Sequence, residues 1–253
     1  MSLRTTLNGI LESWGYVIER SMPAVLKAKA KLDFDFDYLV RREVHRQQGE
    51  FCFIQIGAND GQSRPDDLMD YVQDYSAVGL MVEPQPDVFS RLEQNFAEYP
   101  GISLINRAVH RDKNNITIYR FDPEILQTRT DLPVWAQTNG IASFDRQHVV
   151  DHANRLKLGP GAIQAQSVDC ISVDELIDLA PRVPDLLKID VEGYDFEILD
   201  ALDPNLFRPR IIRFENLHMP AQKYQVIIHK LSAAGYRFLA NRSDTTAYLW
   251  SGD

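Results

Sequence analysis

The chain has 253 residues, 44% of them hydrophobic and 25% charged, with a formal net charge of −9 and a pI near 5.2. That size and balance suit one large α/β domain. The acidic surface excludes a nucleic-acid partner, since phosphate backbones demand a basic face. Residues Leu3, Leu7, Ile10, Leu11, Trp14, Val17, Ile18 and Met22 recur at helical spacing and predict an amphipathic helix that Pro23 ends or kinks. We read residues 1–48 as an N-terminal helical extension that packs on the domain or pairs two copies as a homodimer. Lys27, Lys29 and Lys31 lie beside Asp33, Asp35 and Asp37, too mixed a set for a polybasic membrane patch. No stretch approaches the ~20 apolar residues of a membrane span, and the start lacks a signal peptide's apolar core, so a cytoplasmic protein without stable membrane insertion is expected.

From residue 49 strands and helices alternate, predicting a doubly wound, mostly parallel sheet. The expected strands are Phe51–Ile56, Ala77–Val82, Ile102–Ala108, Leu186–Asp190 and Ile211–Glu215, closed by Tyr236–Ala240 and Thr246–Trp250. Pro65 and Pro86 stand at first helical positions, each followed by an Asp that suits the helix dipole. Ser172-Val-Asp-Glu175 is a capping box. Asn115–Phe121 and Ala165–Asp169 are strand-like and enclose a long polar, proline-containing insertion. Its central part, around 121–160, is read as an acceptor lid. Within it Phe144–Leu158 forms a helix closed by Gly159-Pro160. Cys52 and Cys170 lie in strands far apart in sequence, as buried apolar residues rather than a disulfide or metal pair.

The first strand runs into the turn Gly57-Ala-Asn-Asp-Gly61, and Glu83 ends the second strand about 20 residues on, a spacing that suits ribose hydroxyls. The middle glycine of a dinucleotide fingerprint is missing, and Asp60 would repel pyrophosphate. S-adenosylmethionine has no phosphate and carries a cationic sulfonium, so this loop favours it over NAD. Ligands of open α/β sheets sit beyond the carboxyl ends of the strands. That rule selects Gly57–Gly61, Glu83, Asn106–Val109, Asp190–Glu192 and Glu215–His218 as one rim, of which Gly57, Ala58, Asn59, Gly61, Glu83, Asn106, Ala108 and Asp190, with the adjoining Pro84, are taken as cofactor-binding residues. Glu83 is expected to take both ribose hydroxyls.

Ile56-Gly-Ala-Asn-Asp-Gly-Gln62, Val82-Glu-Pro84, Asn106-Arg-Ala-Val109, Ser167–Leu176 and above all Leu187-Lys-Ile-Asp-Val-Glu-Gly193, followed by Glu197-Ile-Leu, resemble the FkbM family of S-adenosylmethionine-dependent methyltransferases. The resemblance spans about residues 50–240. It implies the class I, Rossmann-like methyltransferase fold, a seven-stranded sheet with its last strand antiparallel, and O-methylation of a hydroxyl on a sugar, glycan or small-molecule natural product. Two other readings compete with it: an NAD-linked oxidoreductase and a non-catalytic binding protein on the same fold.

Asp190, Glu215 and Asn216 end neighbouring strands and resemble the donor set of cation-dependent O-methyltransferases of the catechol type, a pattern suited to Mg²⁺. If no metal is bound, His218 or His110, which follow strand ends on the same rim, would act as general base beside Asp190. His148 and His152 stand one turn apart at a zinc-binding spacing, but the sequence favours a solvated or substrate-facing pair because the Glu of H-E-x-x-H is absent.

Overall fold

The computed structural model describes residues 24–63 and 68–250. The helix expected over residues 3–22 and the helix start at Pro65 lie outside them. Among the described residues ten strands form two sheets. The main one contains β1 (Glu50–Ile56), β2 (Ser76–Val82), β3 (Ile102–Ile105), β7 (Leu186–Ile189), β8 (Ile211–Glu215), β9 (Arg237–Ala240) and β10 (Asp244–Tyr248) in the order β3-β2-β1-β7-β8-β10-β9. The pairs β3/β2, β2/β1, β1/β7 and β7/β8 are parallel, and β10 runs antiparallel to both of its neighbours. The order reverses direction between β1 and β7. In open α/β sheets the crevice beyond such a switch point is where ligands bind.

The central strands are mostly apolar because both faces are covered, broken by the buried Gln55 on β1, Lys188 on β7 and Arg213 on β8. On β1, Phe51 and Phe53 enter one core with Met81, Leu186 and Tyr248, while Ile54 and Ile56 enter the other with Leu80, Val82, Leu187 and Phe214. Helix α1 (Ala24–Arg46) covers the first of these faces. Its Phe36, Leu39, Val40 and Val44 are buried there, and the Arg213 guanidinium lies 4.4 Å from the centre of the Phe36 ring. The second half of the segment read as an extension therefore belongs to the domain's own core. No helix among the described residues is long and apolar enough to cross a membrane.

The remaining helices are short. α2 (Met69–Asp74) precedes β2, and α3 (Pro86–Asn95) follows it with Pro86 in its first turn. α4 (Pro123–Gln127), α5 (Val134–Gln137) and α6 (Arg146–Arg155) lie within the insertion. α7 (Val173–Asp178) starts on the expected capping box, with Ser172 Oγ accepting from Glu175 N at 3.1 Å. α8 (Asp195–Ala201) follows β7 and α9 (Ala221–Ala233) follows β8.

The second sheet departs from the simple alternation. β4 (Ala108–Val109), β5 (Asn115–Phe121) and β6 (Ile163–Ile171) pair in the order β4-β6-β5. The run expected as one strand over Ile102–Ala108 thus breaks at Asn106-Arg107, because Ala108 and Val109 leave the main sheet to pair with Cys170 and Ile171. β5 and β6 form a seven-pair antiparallel ribbon from Asn115/Asp169 to Phe121/Ile163. This ribbon and α6 hold the insertion over the carboxyl edge of the main sheet. Cys52 and Cys170 are free and buried.

Candidate active site

The turn after β1 is fixed by backbone. Gly57 N and Ala58 N both donate to Val82 O at 3.0 Å, and Asp190 N donates to Ile56 O at 3.0 Å, tying the ends of β2 and β7 to β1. Gly57 has φ +81°, and a Cβ there would overlap the Asp190 carbonyl oxygen. Only glycine meets both demands. Beyond this turn opens a cleft with about 580 Å³ of space, open mouth included. Of the residues selected from sequence, Gly57, Asn59, Glu83, Pro84, Ala108 and Asp190 line it. Ala58 and Gly61 do not: Ala58 is fully buried in the core, and Gly61 backs onto Phe96 and Leu92. Asn106 also supports the site from behind, its Nδ2 donating to Glu83 O at 2.8 Å.

Glu83 is 3% exposed. Its Oε1 accepts from Gln85 N at 2.9 Å and Gln85 Nε2 at 3.1 Å, and its Oε2 accepts from Asn59 N at 3.0 Å. Burial pushes its carboxyl up, against the opposing effect of these three donors. The sequence reading gave both carboxylate oxygens to the ribose, whereas in the structure Oε1 is already engaged twice. Oε2 retains capacity for one further donor. Glu83 therefore also shapes the site, because it holds the first turn (Asn59) to the second (Gln85).

The insertion supplies the opposite wall through Gly140, Ala142, Ser143 and Phe144. It is latched onto the cofactor loops: Asn59 Nδ2 donates to Thr138 O at 3.1 Å and Gln85 Nε2 to Asn139 O at 3.1 Å. Asn139, at φ +61°, completes the latch with its side chain, accepting from Phe121 N at 2.9 Å and donating to Phe121 O at 2.8 Å. Asn139→Ala leaves these two buried backbone groups unpaired, a cost of about 1–3 kcal/mol. Faster amide exchange across residues 134–144, with the main sheet unaffected, is the expected measurement.

At the far side of the cleft, histidines and carboxylates converge. Glu192, at φ +52° before Gly193 at φ +106°, lines the cleft and reaches His148, whose Nε2 lies 3.1 Å from Glu192 Oε2. The His148 ring is 4.7 Å from that of His152 and 4.5 Å, perpendicular, from that of His218, centre to centre. The ligating atoms of His148, His152 and His218 lie within 4.8 Å of one another, as do those of Glu192, Glu215 and His218. Burial, then the neighbouring His148, lowers His152 and His218. Burial, then Glu192, Asp190 and Asp195, pushes Glu215 up to about 10, and burial with Asp190 pushes Asp195 up to about 8. Carboxyls packed this closely share protons or a cation.

The sequence-selected residues separate on this geometry. Glu215 and His218 enter the cluster; Asp190 lies on the cleft wall and in neither group of close ligand atoms. Asn216 turns its Nδ2 to Asn241 O at 3.3 Å. His110 is stacked on Tyr194 with ring centres 5.0 Å apart, and its Nδ1 accepts from Asp112 N at 3.1 Å and Lys113 N at 3.2 Å. That leaves its remaining ring nitrogen protonated in the neutral form, with no lone pair for a substrate proton, so His110 is no general base. Of the two alternatives for the His148/His152 pair, solvated or substrate-facing, the first does not hold for His148, whose side chain is only 9% exposed. Glu192 was placed on the active rim from sequence, with no role assigned; Gln85, Asn139 and Ser143 were not picked out. Only Glu192, within Leu187–Gly193, carried a motif signal.

A parallel sheet closed by an antiparallel hairpin, with a glycine turn and an acidic strand end on one rim, defines a class I S-adenosylmethionine-dependent methyltransferase. The chain belongs to the FkbM methyltransferase family: the model for the methyltransferase FkbM domain matches residues 55–238. Among solved structures it is similar to the human methyltransferase 10 domain containing protein (11% identity, 97% of this chain and 95% of that one, TM-score 0.42). It is also similar to ribosomal protein L11 methylase from Lactobacillus delbrueckii subsp. bulgaricus (10%, 83% and 75%, 0.40). A third is Aeropyrum pernix fibrillarin, solved with natively bound S-adenosyl-L-methionine (11%, 78% and 65%, 0.37). No curated protein matches the chain significantly.

Proposed function

We propose that this methyltransferase methylates a hydroxyl oxygen of a sugar, glycan or other hydroxylated small molecule. The observation that carries the reading is Glu192, which lines the cofactor cleft and at the same time contacts the histidine cluster, so donor site and base share one residue. A shallow depression lined by Phe196, Glu215, His218, Met219 and Lys223 among others adjoins the cluster on the side where an acceptor would approach.

The first cleft fits S-adenosylmethionine: its glycine turn admits close backbone approach, it offers a carboxylate at the β2 end, and it is apolar at Ala108 and Val109, where an adenine would lie. We assign Glu83 Oε2 to the ribose and Asp190 to the cationic amino-acid end. Bound there, the cofactor supplies a methyl group that passes to the acceptor oxygen as the C–O bond forms and the C–S bond breaks. The protein's part is alignment and removal of the hydroxyl proton. In the metal-free protein His218 suits the second task, because burial lowers its pKa and keeps the imidazole neutral, with a lone pair. The insertion closes the cleft against water.

Isotope-labelled methyl transfer to a panel of hydroxyl, amine and carboxyl acceptors tests this. Base-stable methyl ether on hydroxyl acceptors is the expected product. Label on amine nitrogen, or a base-labile ester, would overturn O-methylation of a hydroxyl.

A further inference from the structure

The three histidines and two glutamates do more than stack. We propose that His148, His152 and His218, with the carboxylates of Glu192 and Glu215, hold one divalent transition-metal ion at the acceptor end of the cleft. The two groups of ligand atoms, each within 4.8 Å, have the residue His218 in common, and His148 Nε2 of the first lies 3.1 Å from Glu192 Oε2 of the second. Donors on a single ion, with bonds near 2 Å, stand about 3–4 Å apart.

Ring stacking alone leaves the cluster unexplained. His152 Nε2 is buried with no hydrogen-bond partner, an arrangement that is unfavourable unless a ligand satisfies it. The His148 and His218 rings meet edge to face at 4.5 Å. Glu192 is held at φ +52°, a backbone conformation rarely adopted by a glutamate, and Ser143 Oγ fixes it by donating to Glu192 O at 2.8 Å. Strain of this kind persists where the surroundings aim a side chain at a task.

The donor set selects the ion. Imidazoles suit Zn²⁺, Fe²⁺, Co²⁺ or Ni²⁺ and, mixed with carboxylates, Mn²⁺, whereas Mg²⁺ prefers all-oxygen octahedra with retained water. Asp190, one of the oxygen donors expected to hold Mg²⁺ with Glu215, contributes to neither group, while Asn216 Oδ1 is buried without a hydrogen-bond partner. An ion here would lie between the cleft and the adjoining depression, where an acceptor hydroxyl could bind it and become more acidic. That consequence rests on the proposed function; the metal site does not.

The test uses the full chain, stripped with chelator and titrated with Co²⁺ and Zn²⁺. We expect one Co²⁺ per chain, with visible d–d bands altered from those of the aqua ion and displaced by Zn²⁺. His152→Ala, His218→Gln and Glu215→Gln should each weaken binding at least tenfold, and His229→Ala, outside both groups, should not. Circular dichroism screens out unfolded variants, and the near-isosteric glutamines keep the test open if the alanine fails. An aqua-like Co²⁺ spectrum, or binding indifferent to all three substitutions, overturns the metal site. Calorimetry of the stripped protein with S-adenosylhomocysteine separates the two readings: if the product binds and metal does not, only the metal site falls. If metal binds and the product does not, only the cofactor assignment falls.

Discussion

Gly57→Ala should abolish cofactor binding and cost the fold about 3 kcal/mol or more. Two penalties coincide at one atom. The backbone at φ +81° is unfavourable for any residue with a Cβ, about 1–3 kcal/mol, and that Cβ would overlap the Asp190 carbonyl oxygen. Relief requires separating the ends of β1 and β7, which are joined by the Asp190 N to Ile56 O bond. Because that separation widens the switch point itself, the loss of affinity should exceed what the loss of stability explains. Chemical denaturation and calorimetry on the same variant measure both. Wild-type affinity in a Gly57→Ala protein would mean that the cofactor binds elsewhere.

Glu83→Ala is expected to act through two routes of different size. Removal of the carboxylate leaves Asn59 N, Gln85 N and Gln85 Nε2 without their acceptor in a buried place, at about 1–3 kcal/mol for each group that water cannot reach. The cofactor loses its ribose acceptor as well. Affinity for S-adenosylhomocysteine should therefore fall by about 1–3 kcal/mol, and amide exchange should rise at both Asn59 and Gln85, and across 138–144, which those residues latch. Glu83→Gln separates the routes, since its amide oxygen can still serve one turn while its NH₂ faces the donors of the other. A weakened affinity with unchanged exchange would show that Glu83 serves the ribose alone.

Local chemistry explains what was legible in the chain. The strands β1, β2, β7 and β8 are buried on both faces and therefore written as mostly apolar runs. Gly57 and Glu83 stand where a strand must end, and Ser172-Val-Asp-Glu175 states its own cap. Helix α1 falls in the segment read as a helical extension, but its bounds and buried face were not read, because Lys27–Asp37 alternates charged with apolar residues, a strand-like period of two, while the deciding spacing of Phe36, Val40 and Val44 is helical. β3 was read too long because Ala108-Val109 looks like its continuation, and only pairing with Cys170-Ile171, some 60 residues away, draws it aside. The histidine cluster was scattered in the sequence for the same reason. His148 and His152 come from α6, Glu192 from the β7 end and Glu215 and His218 from the β8 end, and no periodicity spans such distances. Asn139 and Gln85 were missed because a polar residue in a loop announces nothing until its buried partners are known.

The central claim is that S-adenosylmethionine occupies the cleft where β1, β2 and β7 end, and calorimetric titration of the full chain with S-adenosylhomocysteine, alongside NAD, tests it most directly. One S-adenosylhomocysteine per chain, no heat with NAD, and binding lost in Gly57→Ala is the predicted result. Binding of NAD in its place, or S-adenosylhomocysteine binding that survives Gly57→Ala undiminished, would contradict the account.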